Sequence, residues 1–255
     1  MLAVFSILYW AFAILTMPFF FGLACVIRLL TFPFDRRRVV QHLWSCVWGE
    51  FYIWTNPLWS LRVTGREKCP WKGAAVYVAN HTSIMDIVAM YALYRPFKWI
   101  AKAELMRTPF IGWNMRLNDY VEVARRDRES IKVMMGRCRQ HLAEGSPLMM
   151  FPEGTRSPDG NLQAFKDGAF KLALEAGCPV IPCAVKGTGD SLPKHGLVMR
   201  QRMRATLEVL EPIAPAEFPT VHAMRDEARR RIALALGQPH PLVGEREAAP
   251  PAPPA

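Results

Sequence analysis

From position 1 to 27 the chain carries no charged residue; Arg28 is the first, and the triplet Arg36-Arg37-Arg38 follows. At about 1.5 Å of rise per helical residue, such a run can reach across a hydrocarbon core of about 30 Å. It is longer than the apolar part of a signal peptide and lacks a basic start, so it reads as a retained helix kinked at Pro18. The arginines at its end mark the cytoplasmic side. Hydropathy leaves open whether this helix spans the bilayer or bends back as a shallow hairpin. A second helical segment, 39–59, sets Trp44, Trp48, Phe51, Tyr52 and Trp59 at helical spacing, with Trp54 beside them and Glu50 as the one charge. Aromatic helices of this kind lie at the headgroup boundary. A helix packed into a core would show the same pattern.

Beyond these helices, short apolar runs alternate with helical stretches. The runs 61–64, 75–79, 97–100, 120–123, 148–151, 180–185 and 205–210 read as strands, and 85–94, 129–143, 169–176 and 221–236 as helices. That alternation predicts an α/β fold, a mixed sheet flanked by helices, behind an N-terminal hydrophobic two-helix membrane anchor. The expected division is an anchor at 1–59, an α/β domain at 60–237 and a Pro/Ala-rich tail at 238–255 whose lack of apolar period predicts disorder.

With 255 residues there is room for one such domain and an appendage. The net charge of +10 favours anionic partners, whether phospholipid headgroups, phosphorylated substrates or nucleic acid. The apolar first segment selects membrane phospholipids, and no nucleic-acid motif is present. Six cysteines without a C-x-x-C pair suit buried, reduced thiols rather than disulfides or zinc. The basic runs at 200–204 and 229–231 are either solvated faces or contacts to anionic lipid or a carrier protein.

Two segments carry candidate chemistry. Asn80-His81-Thr82-Ser83-Ile84-Met85-Asp86 occupies a strand-to-helix turn. His81 has the side-chain type whose usual pKa lies nearest neutrality, suited to taking a proton from an alcohol. Asp86, five residues on, can turn back to bond the second ring nitrogen, as the carboxylate does in a Ser-His-Asp triad. A structural alternative is that Ser83 or Asp86 caps a helix. The second segment, Phe151-Pro152-Glu153-Gly154-Thr155-Arg156-Ser157, also follows a strand. Gly154 permits unusual backbone torsions and Arg156 offers a planar fork for phosphate oxygens. Glu153 would accept a hydrogen bond from a substrate hydroxyl or hold a basic neighbour; the alternative is a turn with a solvated salt bridge. His42, His141, His195, His222 and His240 lack comparable settings and read as structural or surface residues.

Taken in order, NHTSIMD, KAELMRTPFIGW, FPEGTRS and VIPCAV resemble the four blocks of glycerolipid acyltransferases, over about residues 75–195. The resemblance is best to the enzymes that acylate lysophosphatidate. It implies His81 as general base, oriented by Asp86, with Asn80 beside it in substrate binding. It implies Lys102, Glu104, Pro109 and Gly112 at the acceptor site, Arg125 on the acceptor phosphate, and Glu153, Gly154, Thr155 and Arg156 in acceptor binding. Val180, Ile181 and Pro182 would lie toward the acyl chain, and Lys166, within Phe165-Lys166-Asp167-Gly168-Ala169, is a further phosphate contact. Asp119, Glu122 and Ala124 depart from the family's usual residues just before Arg125. The implied reaction passes a fatty acyl group from acyl-CoA or acyl carrier protein to the sn-2 hydroxyl of a lysophospholipid. No metal or cofactor takes part. The implied place is the cytoplasmic face of the inner (plasma) membrane. The same chemistry on glycerol 3-phosphate, another lysophospholipid or a lyso-aminolipid is the alternative, as is an acyl hydrolase.

Overall fold

The computed structural model describes residues 2–124, 127–192, 198–199, 201–218 and 220–239. Two helices come first, α1 (Leu2–Thr31) and α2 (Val39–Trp54), then strand β1 (Trp59–Thr64). The chain continues through β2 (Val76–Ala79), α3 (Met85–Tyr91), β3 (Lys98–Lys102), α4 (Ala103–Met106), α5 (Ile111–Leu117), β4 (Val121–Val123) and α6 (Arg128–Ala143). It closes with β5 (Leu148–Met150), α7 (Gly168–Glu175), β6 (Val180–Lys186), α8 (Thr188–Ser191), β7 (Met203–Val209) and α9 (Val221–Leu236).

The strands form one sheet in the order β1-β7-β6-β2-β5-β3-β4. β6, β2, β5, β3 and β4 run parallel; β7 is antiparallel to β6 and parallel to β1, so the sheet is mixed as expected. Alternate residues of β2 serve opposite faces. Val76 and Val78 pack with Leu148, Phe170, Val180, Ala228 and Ile232 beneath α7 and α9. Tyr77 and Ala79 pack with Met149, Ile181, Leu93 and Phe97 on the side of α3. Because both faces are covered, the central strands read in sequence as continuous apolar runs.

α1 continues through Pro18 without a break. It lies antiparallel to α2: the Tyr9 hydroxyl donates to the Tyr52 carbonyl, and the Phe20 ring stacks on Trp48 at 5.6 Å. Its inner stripe is Ser6, Tyr9, Ala13, Phe20, Ala24 and Thr31, while Ile7 and Leu15 on the outside are 66% and 78% exposed. By length and composition α1 is long and apolar enough to cross a membrane. It is fastened to the α/β body along its length. Ser6 Oγ accepts the Met199 N–H at 2.9 Å, Tyr9 meets Trp59 edge to face at 5.5 Å, and Phe21 meets Trp113 at 5.5 Å.

α2 is shorter than its aromatic spacing suggests. Asn56 and Pro57 follow its end, proline cannot extend a helix, and Trp59 opens β1 instead. Its inner face is polar. Ser45 Oγ accepts from the side-chain amides of Asn114 and Asn118, both at 3.0 Å, and His42 Nδ1 pairs with the Tyr120 hydroxyl at 2.7 Å. The turn between α1 and α2 is tied down as well. Lys98 Nζ donates to the carbonyls of Arg37 at 2.8 Å and Asn118 at 2.7 Å, and Arg37 donates to Gly145 O at 2.6 Å. All six cysteines are free thiols; five are buried, but Cys25 is exposed on α1.

α4, α5 and α8, of 4, 7 and 4 residues, were not expected from the sequence. At two turns or fewer, no 3.6-residue period has room to appear.

Candidate active site

The residues flagged by sequence follow the strands that the topology brings side by side. His81 follows β2, Glu153 follows β5, and Lys102 ends β3; β2, β5 and β3 are consecutive parallel neighbours. Parallel strands deliver their carboxyl ends to one edge, where open α/β sheets place their ligand sites. Arg125, expected after β4, lies outside the described residues, as do Arg200, His195, His240 and the tail from 240 onward.

At that edge Asn80 extends the β2–β6 pairing with its side chain: Nδ2 donates to the Val185 carbonyl and Oδ1 accepts the Val185 N–H, each at 2.8 Å. The next residue is held on both sides by the turn after β5. The His81 N–H donates to Glu153 Oε1 at 2.7 Å, and the His81 carbonyl accepts the Ser157 N–H at 2.7 Å. With the backbone fixed, the ring is fixed by two further contacts. His81 Nδ1 bonds Asp86 Oδ2 at 2.9 Å, and the imidazole lies flat on Phe151 at 4.0 Å, 9° from parallel. A carboxylate only accepts, so the ring proton sits on Nδ1 and Nε2 carries the lone pair. His81 keeps 8% of its surface exposed and Asp86 none.

Asp86 accepts at both oxygens. Oδ2 takes the N–H groups of Thr82 at 2.6 Å and Ser83 at 2.8 Å besides the imidazole, and Oδ1 takes the Thr188 hydroxyl. Asp86 thus holds the turn that carries His81 rather than capping α3, whose N-cap residue Ile84 has no side-chain cap bond, and Ser83 Oγ accepts the Met85 N–H at 3.3 Å. Thr188 escapes sequence inspection because it lies 102 residues from Asp86. The available signal is Gly187-Thr188-Gly189 directly after β6, recognisable only once β6 is known to adjoin β2.

Glu153 is buried, with Oε1 on the His81 N–H and Oε2 on the Gln163 N–H at 3.2 Å. Burial pushes its carboxyl up to about 7, against the two backbone donors that lower it and with the Asp86 charge adding to the rise. A carboxyl raised on folding binds its proton more tightly in the native state, so its contribution to stability falls as pH rises from the usual carboxylate range through about 7. The melting-temperature difference between wild type and Glu153→Gln is expected to move against wild type across that window. A flat difference would show that the carboxyl titrates normally.

The turn itself needs its glycine. Gly154 has φ +74°, and a Cβ there would sit 2.7 Å from Lys166 Nζ, so the lysine stem lies across the turn and brings its ammonium to it. Thr155, Lys102, Glu104 and Lys166 are exposed, and Arg156 is half-buried. Phe151, whose ring also meets Trp99 at 5.5 Å, separates His81 from β3. The structure thus joins His81, Asp86 and Glu153 into one hydrogen-bonded unit, with the Asn80 side chain committed to Val185 beside it, and lays the Lys166 stem across Gly154. Lys102 and Glu104 stand at the same edge two strands away.

A tight imidazole–carboxylate pair with one ring lone pair uncommitted is equipped to take a proton from a hydroxyl group. The comparisons with known proteins bear on which hydroxyl. A family model described as Acyltransferase matches residues 60–186. The chain is 37% identical over 241 residues to a 1-acyl-sn-glycerol-3-phosphate acyltransferase of Chlamydomonas reinhardtii, across 92% of this chain and 69% of that protein. It is 33% identical over 203 residues to a chloroplastic 1-acyl-sn-glycerol-3-phosphate acyltransferase of Arabidopsis thaliana, across 78% of this chain and 55% of that protein. The chain thus spans little more than half the length of the Arabidopsis relative. Among solved structures it resembles the 1-acyl-sn-glycerophosphate (LPA) acyltransferase PlsC from Thermotoga maritima, with a TM-score of 0.75 at 25% identity, covering 91% of this chain and 94% of that one.

Proposed function

Because the chain belongs to the glycerolipid acyltransferase family, we propose that it moves a fatty acyl group from a thioester donor to the sn-2 hydroxyl of lysophosphatidate, giving phosphatidate. The observation that carries this reading is the His81–Asp86 pair, its carboxylate fully buried, at the carboxyl edge of the parallel strands. His81 Nε2 takes the proton of the acceptor hydroxyl as that oxygen attacks the thioester carbonyl. Asp86 stabilises the imidazolium so formed. The tetrahedral intermediate collapses, the thiolate leaves, and the imidazolium returns its proton to it.

Lys102, Glu104, Arg125, Thr155, Arg156 and Lys166 supply the acceptor site, with the basic members meeting the phosphate. For the described members, Lys102, Glu104, Thr155, Arg156 and Lys166, support comes from their common strand edge and from the Lys166 ammonium lying over Gly154. Residues 1–59 act as the membrane anchor, 60–237 as the catalytic domain and 238–255 as a tail. The exposed apolar outside of α1, ended by Arg28 and the 36–38 triplet, favours the cytoplasmic face of the inner (plasma) membrane. Acceptor and product both live in lipid, which gives the anchor its purpose.

The test is acyl transfer in membranes from labelled acyl-CoA and acyl carrier protein to lysophosphatidate, glycerol 3-phosphate and a lysophospholipid without a terminal phosphate. Lysophosphatidate is expected to lead by about tenfold or more, a difference of about 1.4 kcal/mol in transition-state binding. Equal rates on the acceptor without a terminal phosphate would remove the phosphate-binding assignment. Release of free fatty acid without esterified product would make the protein a hydrolase.

A further inference from the structure

Asp86 Oδ1 is held from the chain just beyond β6, outside the two turns that carry His81 and Glu153. The Thr188 hydroxyl reaches it from the start of α8, and Thr188 is fully buried. The segment that carries it is fixed twice over. Asn80 grips Val185 through both backbone groups. Gly187, at φ +80°, has a backbone that closes on β7 so tightly that a Cβ would sit 2.4 Å from the Arg204 carbonyl oxygen. A carboxylate accepts and cannot donate, so the single hydroxyl proton of Thr188 points at Asp86. Thr82 Oγ, 3.3 Å from Thr188 Oγ, must then donate to it. The result is a chain of hydrogen bonds with one direction, from Thr82 to Thr188 to Asp86 Oδ1, while the imidazole donates to the same carboxylate at Oδ2.

We propose that Thr188 is a positioning residue for acyl transfer, which fixes the orientation of Asp86 so that the His81 ring is held at the correct angle. Oδ2 is shared among three donors and would let the carboxylate pivot about that point; Oδ1 is the second point that stops the pivot. This rests on the roles proposed above for His81 and Asp86, and on no particular acceptor.

Thr188→Val keeps the shape and loses the hydrogen bond, whereas Thr188→Ser keeps the hydrogen bond and loses a methyl group. For the valine variant kcat is expected to fall by about 10- to 100-fold, the worth of one hydrogen bond to a charged group, with KM changed by less than about twofold. The serine variant is expected to recover most of the rate. Thr82→Val is expected to act in the same direction with a smaller effect, and it carries the test if Thr188→Val does not fold. A second readout needs no substrate: the Nδ1–H proton resonance of the His81 ring, read by NMR in detergent micelles, which reports its bond to Asp86. Loss of the Thr188 hydroxyl is expected to shift and broaden that resonance in the valine variant and leave it in place in the serine variant. Valine and serine variants equally impaired, or a wild-type rate and resonance with valine, would overturn the assignment. Silence toward every acceptor together with a shifted resonance would instead retire the acceptor reading and leave Thr188 in place.

Discussion

Replacing His81 with alanine is expected to lower acyl transfer by about 10³-fold, within the range general-base catalysis supplies, while the protein still folds. Its neighbours explain why folding survives. Without the imidazole, Asp86 still accepts from the Thr82 and Ser83 N–H groups and the Thr188 hydroxyl, so no buried charge is stranded. The backbone clamps from Glu153 and Ser157 involve only the main chain of residue 81 and persist with alanine. What is lost is the ring on Phe151 and the Nε2 lone pair. The check is initial rates in membranes at matched protein level, alongside a thermal melt. A folded alanine variant within about tenfold of wild type would mean that the acceptor hydroxyl is deprotonated by something else.

Asp86 offers a sharper separation of roles. Alanine there would leave four donors without their acceptor, at about 1–3 kcal/mol for each that is buried, so loss of activity would be confounded with loss of fold. Asparagine avoids this. Its amide oxygen takes the place of Oδ2 and keeps the imidazole, Thr82 and Ser83 bonds, while its NH2 donates to the Thr188 oxygen, which then turns its own proton away. Orientation is kept and the charge is removed. Asp86→Asn is therefore expected to melt within a few degrees of wild type and to lose about 10²- to 10³-fold in kcat, because the imidazolium formed in the transition state has no counter-charge. If the rate of this variant stayed near wild type, the carboxylate would be a cap for the turn and no more.

The central strands β2, β5 and β6 were legible because they are buried on both faces and so appear as unbroken apolar runs, whereas β1, β4 and β7 alternate buried and exposed residues; all seven expected runs became strands of the one sheet. Their order was not legible. Nothing local in 180–185 says that it lies beside 75–79 rather than beside 148–151, since partner choice is a tertiary decision. That one gap explains what was missed at the site. The His81–Asp86 pair has a spacing of five and announces itself, but Thr188 and the Gln163 N–H reach the same unit only through strand order and loop return. Glu153 was placed in the right turn, yet its carboxyl oxygens meet main-chain donors that no side-chain pattern reveals. In α1 the inner stripe was hidden for the opposite reason: a helix apolar all round gives no contrast between the face that packs and the face that does not.

The fastening of α1 and of its turn to the catalytic body has a mechanical consequence. Ser6 and Tyr9 are joined to the body near one end, Phe21 near the middle, and Arg37 beyond the other end. A protein attached to lipid through a loose tether samples a range of heights above the surface, and its encounters with acceptors depend on tether length. Here the helix and the strand edge that carries His81 share one frame. With α1 in lipid as proposed, its tilt would set how far the imidazole stands from the headgroup plane, and a bilayer of different thickness would change that stand-off without changing a single contact of the His81 pair.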